Sequence, residues 1–201
     1  MNPVYIFLDM DGVLSLSSQV IESRCVFQLN RIVHDIGTDR VRIVFNTAWN
    51  CHSLDEMRIR MVAAGFAYPD TLWSQTDGTH GGGQLAREWL RDHGEVGCPY
   101  VIVDDSTNMG PSWGRIAHCS LAMGLTAAIA DQAIAIARRG IQHADIEKQF
   151  AIEALRREIV RLKTRTPWLS SKERSPLIKL DQALIKVLSK DKDFLRNAAM
   201  A

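Results

Sequence analysis

The sequence predicts an α/β domain, three layers deep, built on a mostly parallel sheet. Three observations carry that prediction. The runs Val4–Leu8, Val41–Phe45 and Tyr100–Val103 are short and almost uninterrupted in their apolarity, as strands buried on both faces are. Helical spacing recurs between them, closed repeatedly by glycine, and such βα alternation places helices on both faces of a parallel sheet. Each apolar run also leads into small polar or acidic side chains: Asp9 and Asp11 after the first, Thr47 after the second, Asp104 and Asp105 after the third. That is the carboxyl edge of the sheet, where open α/β folds bind ligands.

The elements follow in order. Val4–Leu8 is the first strand. Residues 19–36 read as a helix, with Ile21, Cys25, Leu29 and Ile32 on one face and Gly37 as its stop. Val41–Phe45 is a strand, 54–64 a helix closed by Gly65, and 71–73 a short strand. Residues 84–92 form a helix closed by Gly94, Tyr100–Val103 a strand, and 116–118 a last short strand. Thr126 caps a helix that runs to Arg139, with Gly140 as its stop.

Composition narrows the class. A chain of 201 residues with 46% hydrophobic content holds one sizeable core, or one core and an appendage. The four cysteines, Cys25, Cys51, Cys98 and Cys119, form no C-x-x-C pair, which argues against zinc or a redox motif and for reduced thiols in a cytoplasmic protein. No signal peptide is expected, because Met1-Asn2-Pro3 leads straight into the first apolar strand, and no apolar run in these residues is long enough to span a membrane. The net charge of +1 hides an asymmetry. Residues 1–140 carry 11 Arg, no Lys and 15 Asp or Glu, a net −4, whereas residues 141–201 carry 13 basic and 8 acidic residues, a net +5.

The motif Asp9-Met10-Asp11-Gly12 carries the chemistry. Side chains at i and i+2 of an extended segment point the same way, so Asp9 and Asp11 are expected to converge beyond the strand end, where Gly12 lets the chain turn. Two close carboxylates repel and call for a cation, a shared proton or both. An all-oxygen set suits Mg²⁺, and a carboxylate beside Mg²⁺ can attack phosphorus to give an aspartyl-phosphate. Alone, the tetrapeptide is equally what a solvated turn looks like. The two further strand ends, with Thr47 and with Asp104 and Asp105, favour a site.

This pattern resembles the haloacid dehalogenase (HAD) superfamily of phosphohydrolases. Asp9-Met10-Asp11-Gly12-Val13-Leu14 is similar to its first motif, Thr47 to its second and Asp104-Asp105 to the double-acid form of its fourth. The phrases Thr47-Ala48-Trp49, Arg87-Glu88-Trp89-Leu90, Val103-Asp104-Asp105 and Gly124-Leu125-Thr126 resemble a small capless branch associated with Swiss-Army-knife RNA-repair-like proteins. The resemblance covers residues 1–140 and implies a Rossmann-like, HAD-like fold. It implies that Asp9 is the nucleophile, and that Asp11 protonates the leaving oxygen, later activates water and lends its backbone carbonyl to Mg²⁺. It further implies that Thr47 binds a phosphoryl oxygen and that Asp104 and Asp105 complete the metal shell. The gaps between motifs hold no cap domain, so the site is expected to be open to large substrates such as nucleic-acid ends or phosphoproteins.

One departure stands out. The family places a Lys before the helix that precedes the fourth motif, and here Gly82 occupies that position; the first Lys of the chain is Lys148. His80, Arg87, Arg115 or a Lys from the C-terminal segment are the candidate substitutes, and Arg87 sits on the helix face away from Leu85 and Trp89. Losing a phosphate-neutralising group of this kind forfeits roughly 2–4 kcal/mol of transition-state stabilisation, which suits a slow or degenerate phosphatase. Trp49 and Trp113 flank the acidic motifs and read first as half-buried packing, second as base-stacking platforms. Asn50 and Asn108 are further polar neighbours, and 74–83 is a Gly-rich loop.

Residues 141–201 form a basic extension with two amphipathic helices, about 144–163 and from Pro176 onward, separated near Thr166-Pro167-Trp168. They are expected to pack on the catalytic domain, on a second copy in a homodimer or on another protein partner, and their charge to draw a polyanion to the site. Two functions are thereby in play: a Mg²⁺-dependent phosphatase, with nucleic-acid ends as one substrate class, or a catalytically weak binding module that holds a partner through its C-terminal helices.

Overall fold

The computed structural model describes residues 3–17, 20–47, 49, 53–76, 82–107 and 109–144. The chain divides into two compact units, residues 2–142 and a second made of residue 1 with 143–201, and the candidate site lies wholly in the first. The amphipathic helices expected beyond residue 144, together with Cys51, His80, Asn50, Asn108 and the side chain of Trp113, lie outside the described residues.

Strand β1 (Val4–Leu8) leads to helix α1 (Ser23–Ile36), β2 (Val41–Phe45), α2 (Leu54–Ala63), β3 (Leu72–Gln75), α3 (Gly82–Asp92), β4 (Tyr100–Asp104) and β5 (Ile116–His118). A further helix, α4, spans 127–144. The five strands pair in parallel in the order β3-β2-β1-β4-β5. The chain therefore winds outward from β1 through β2 to β3, then returns to β4 on the other side. That reversal opens a crevice beyond the carboxyl ends of β1 and β4, the switch point at which such sheets bind ligands.

Alternation along the strands feeds two apolar layers. Val4, Ile6 and Leu8 of β1 join Val41, Ile43, Phe45, Val101 and Val103 under α1, α2 and α4. Tyr5 and Phe7 face the opposite way, with Val44, Ile102 and Ile116, onto Trp89 and Leu90 of α3. Because β1 is covered on both faces, all five of its residues are buried, which is why its sequence shows no polar alternation. No helix among the described residues is long and apolar enough to cross a membrane.

Several boundaries differ from expectation, each for a local reason. Residues 20–22 are not helical. Ile21 forms a bridge with Ser15 and Glu22 is extended at φ −81° and ψ 115°, so α1 starts at Ser23. The short strand near 72 begins one residue late, after a 3-10 turn over Pro69–Thr71. Helix α2 opens on a full capping box, Ser53 accepting from the Glu56 amide while the Glu56 carboxylate accepts from the Ser53 amide. Thr126 caps α4 as expected, its hydroxyl accepting from the Ile129 amide at 3.4 Å. Gly140 is not a stop: α4 continues through it. A Cβ there would sit 2.9 Å from Arg115 Nη1 and 3.2 Å from Pro99 Cβ, so the glycine serves close approach instead.

Candidate active site

The sheet's hydrogen bonding runs past the strand ends and fixes the site. The Asp9 amide donates to Val103 O at 3.0 Å, the Asn46 amide to Leu8 O at 2.8 Å, and the Cys119 amide to Asp104 O at 2.8 Å. Asp9, Asn46 and Asp104 are thus held side by side on adjacent strands. Oxygens of Asp9, Asp104 and Asp105 lie within 4.8 Å of one another. The Met10 amide donates to Asp9 Oδ1 at 2.7 Å and the Ser106 amide to Asp104 Oδ1 at 2.7 Å, aiming both carboxylates.

Electrostatics follow from that crowding. Burial, and next the Asp104 charge, push the Asp9 carboxyl up to about 7, against hydrogen bonds from the Met10 amide and the Thr47 hydroxyl. Burial also raises Asp104, assisted by Asp105 and opposed by the Ser106 amide and by His118. Thr47, expected to meet phosphate, is buried and hydrogen-bonded to Asp9.

The Asp11 carboxylate is not one of the three that gather within 4.8 Å of one another. The chain leaves the extended form at Met10, whose carbonyl accepts from the amides of Val13, Leu14 and Ser15. Asp11 is exposed, and its Oδ2 accepts from Trp49 Nε1 at 2.8 Å. The third carboxylate of the cluster is Asp105 instead. Gly12 makes room for it: at φ +71° a Cβ would collide with Asp105 Oδ2.

The position of the expected Lys is explained by the same kind of contact. A Cβ on Gly82 would collide with Asp104 Oδ2 and come within 3.0 Å of Asn46 Nδ2, and one on Gly83 would collide with Met109 O. Helix α3 therefore begins hard against the acidic cluster, and only glycine fits there. Two of the candidate substitutes are engaged elsewhere. Arg87 is exposed, with Nε 3.4 Å from Gly83 O, and Arg115 lies over the Tyr100 ring at 5.1 Å.

Two residues at the site, Asn46 and His118, were not singled out by the sequence, and a third, Trp49, has a second role there. Asn46, buried, donates to Gly82 O and accepts from the Thr76 hydroxyl, both at 3.3 Å. His118 Nε2 lies 3.0 Å from Asp105 O, and in register His118 stands opposite Asp104. It ends β5 as the acids end β1 and β4, a placement visible in the sequence. Trp49, read first as packing, is buried and also holds Asp11.

A search of curated proteins and one of solved structures returned no match. The family model described as the HAD domain in Swiss Army Knife RNA repair proteins matches residues 5–130, a span that takes in the five described strands except Val4 and all three convergent carboxylates. With the five-stranded parallel sheet and the acids at its switch point, that match makes this chain a member of the HAD-domain family of Swiss Army Knife RNA repair proteins.

Proposed function

We propose that the chain is a Mg²⁺-dependent phosphomonoesterase that forms an aspartyl-phosphate on Asp9 and acts on terminal phosphates of nucleic acids. The observation that carries this reading is the convergence of Asp9, Asp104 and Asp105 within 4.8 Å. Three carboxylates so close, two of them pushed toward protonation, suit a small hard divalent cation. The carboxylates of Asp9, Asp104 and Asp105 and the backbone carbonyl of Asp11 would hold it. Bound there, Mg²⁺ neutralises phosphoryl oxygens and relieves repulsion between nucleophile and substrate.

The protein's own groups do the rest. Asp9 attacks phosphorus as the bond to the leaving oxygen breaks, and Asp11 gives that oxygen its proton. Thr47 donates to a phosphoryl oxygen. Water then attacks the phosphorus of the acyl phosphate, Asp11 takes the proton from it, and Asp9 returns as a carboxylate. The amino end of α3 against Asp104, with the partial positive charge of a helix N-terminus, and His118 would stand in for part of the missing Lys.

The substrate class rests on three supports. The matched family is named for RNA repair. Each step from one strand to the next between β1 and β4 is made by one α-helix, and among the described residues no inserted domain interrupts them. Residues 141–201 are basic and would draw a polyanion. The same segment would bind a second copy or another protein.

A second reading, a binding module with little turnover, is favoured by one observation: no cationic side chain can enter at Gly82. One assay separates them. Phosphate release is measured with and without Mg²⁺ for the wild type and Asp9→Asn, on an aryl phosphate, nucleoside monophosphates and 3′- and 5′-phosphorylated oligonucleotides. Mg²⁺-dependent release that the substitution abolishes, fastest on oligonucleotides, is expected. A folded wild type that turns over none of them establishes the binding module.

A further inference from the structure

Asp11 is the exposed member of the first motif, and an exposed carboxylate ordinarily samples several rotamers. Here it meets a buried partner. Trp49, 4% exposed, donates its indole N–H to Asp11 Oδ2 at 2.8 Å. The indole is itself fixed. The Arg60 guanidinium carbon lies 4.8 Å from the centre of its ring, a cation–π distance. The Trp49 amide lies 3.4 Å from Thr47 Oγ1. One residue thus ties the hydroxyl that faces phosphate to the carboxyl that must reach the leaving oxygen.

An indole N–H donates and cannot accept. Oδ2 of Asp11 is engaged as an acceptor, and a proton on that oxygen would compete with the indole hydrogen. We infer that Trp49 is the positioning residue of Asp11: it holds the carboxyl apart from the acidic cluster and leaves Oδ1 as the oxygen that gives and takes the proton. This rests on the phosphatase reading above. In the first half-reaction the Oδ1–H bond breaks as the leaving oxygen gains the proton and loses phosphorus. In the second, Oδ1 takes a proton from water as its oxygen bonds to phosphorus and Asp9 departs.

Trp49→Phe keeps an aromatic ring beneath Arg60 and deletes the donor. The test compares kcat/KM, which reports steps up to phosphorylation of Asp9, on two esters. One is an alkyl phosphate, whose leaving oxygen needs the proton; the other is a nitro-substituted aryl phosphate, whose phenolate leaves without it. The expected loss is about 10- to 100-fold on the alkyl ester and within about twofold on the aryl ester, a partial loss of general acid catalysis. A merely structural role slows both alike, and that result overturns the inference while leaving the phosphatase reading intact. Wild-type protein without turnover that depends on Asp9 overturns both. A second readout needs no catalysis. In a ¹⁵N-tryptophan spectrum the indole resonance missing from Trp49→Phe identifies Trp49, and Asp11→Ala should move it upfield. An unmoved resonance overturns the inference as well.

Discussion

Gly82 and Asp104 stand in contact so close that a single added carbon at Gly82 would collide with Asp104 Oδ2. Alanine in place of a helical glycine ordinarily stabilises by roughly 0.5–1 kcal/mol. Here the sign should reverse. Asp104 is 3% exposed and its other oxygen is held by the Ser106 amide at 2.7 Å, so it has nowhere to retreat. Overpacking of this kind costs about 1–3 kcal/mol. Gly82→Ala is expected to lose about 1–2 kcal/mol net in denaturant unfolding and to weaken Mg²⁺ binding in a titration. Gly82→Lys, which restores the family's residue, should lose more and rescue nothing. Unchanged or increased stability of Gly82→Ala would contradict the contact.

The pair Gly12 and Asp105 predicts a different pattern, because two effects combine. Gly12 has φ +71° and a Cβ there would collide with Asp105 Oδ2. The left-handed conformation alone costs an L residue about 1–2 kcal/mol, and Asn bears it better than Ala. If collision dominates, Gly12→Asn does no better than Gly12→Ala, and both lose metal affinity as well as stability. Full metal affinity in Gly12→Asn would show that backbone conformation is the whole requirement. Calorimetric Mg²⁺ titration beside thermal unfolding decides between them.

Asn46 ties β2 to α3 through Gly82 O and to Thr76, both at 3.3 Å. It is buried, so truncation strands partners away from water. Asn46→Ala should lose about 1–3 kcal/mol, and Thr76→Val, which removes only one bond, about 0.5–1.5 kcal/mol. Phosphatase kcat should fall in Asn46→Ala beyond what lost folded protein explains, since the first turn of α3 is no longer anchored beside Asp104. Equal activity per folded molecule would confine Asn46 to stability.

What could be read in the sequence, and what could not, divides at the strand ends. Inside β1, β2 and β4 both faces are covered, so apolarity alone marked them, and the acids that follow marked the switch point. Period-two reasoning fails one residue later. Met10 O gathers three amides into a tight turn, and Asp11 swings to Trp49, 38 residues away in the chain. That pairing needs the neighbouring strand in place. Gly140 failed as a stop for the same reason, because its lack of a side chain answers to Pro99 and Arg115 across the fold. His118 was within reach: once β5 is parallel to β4, its last residue belongs beside Asp104.

The Asp9 carboxyl gives a pH dependence whose sign can be worked out. Its ordinary value of 3.8 is pushed up to about 7 in the folded chain, first by burial and then by Asp104. A raised value means that the folded state binds the proton more tightly than the unfolded state. The stabilisation is therefore fully present below about pH 4 and is lost as pH rises through about 7. Asp104 shifts in the same direction. At about 1.4 kcal/mol per unit, Asp9 contributes at most about 4 kcal/mol, less after solvent screening of its partly exposed carboxyl. In EDTA the wild type should lose stability across this range more steeply than Asp9→Asn, which cannot titrate there. Saturating Mg²⁺ should oppose the loss, because the cation competes with the proton for the same oxygens and binds the folded chain. Urea unfolding of both proteins from pH 4 to 8, with EDTA or with MgCl₂, measures each slope. Parallel wild-type and Asp9→Asn profiles in EDTA would remove Asp9 as the proton-binding group, and an EDTA slope that Mg²⁺ leaves untouched would remove the cluster as the metal site.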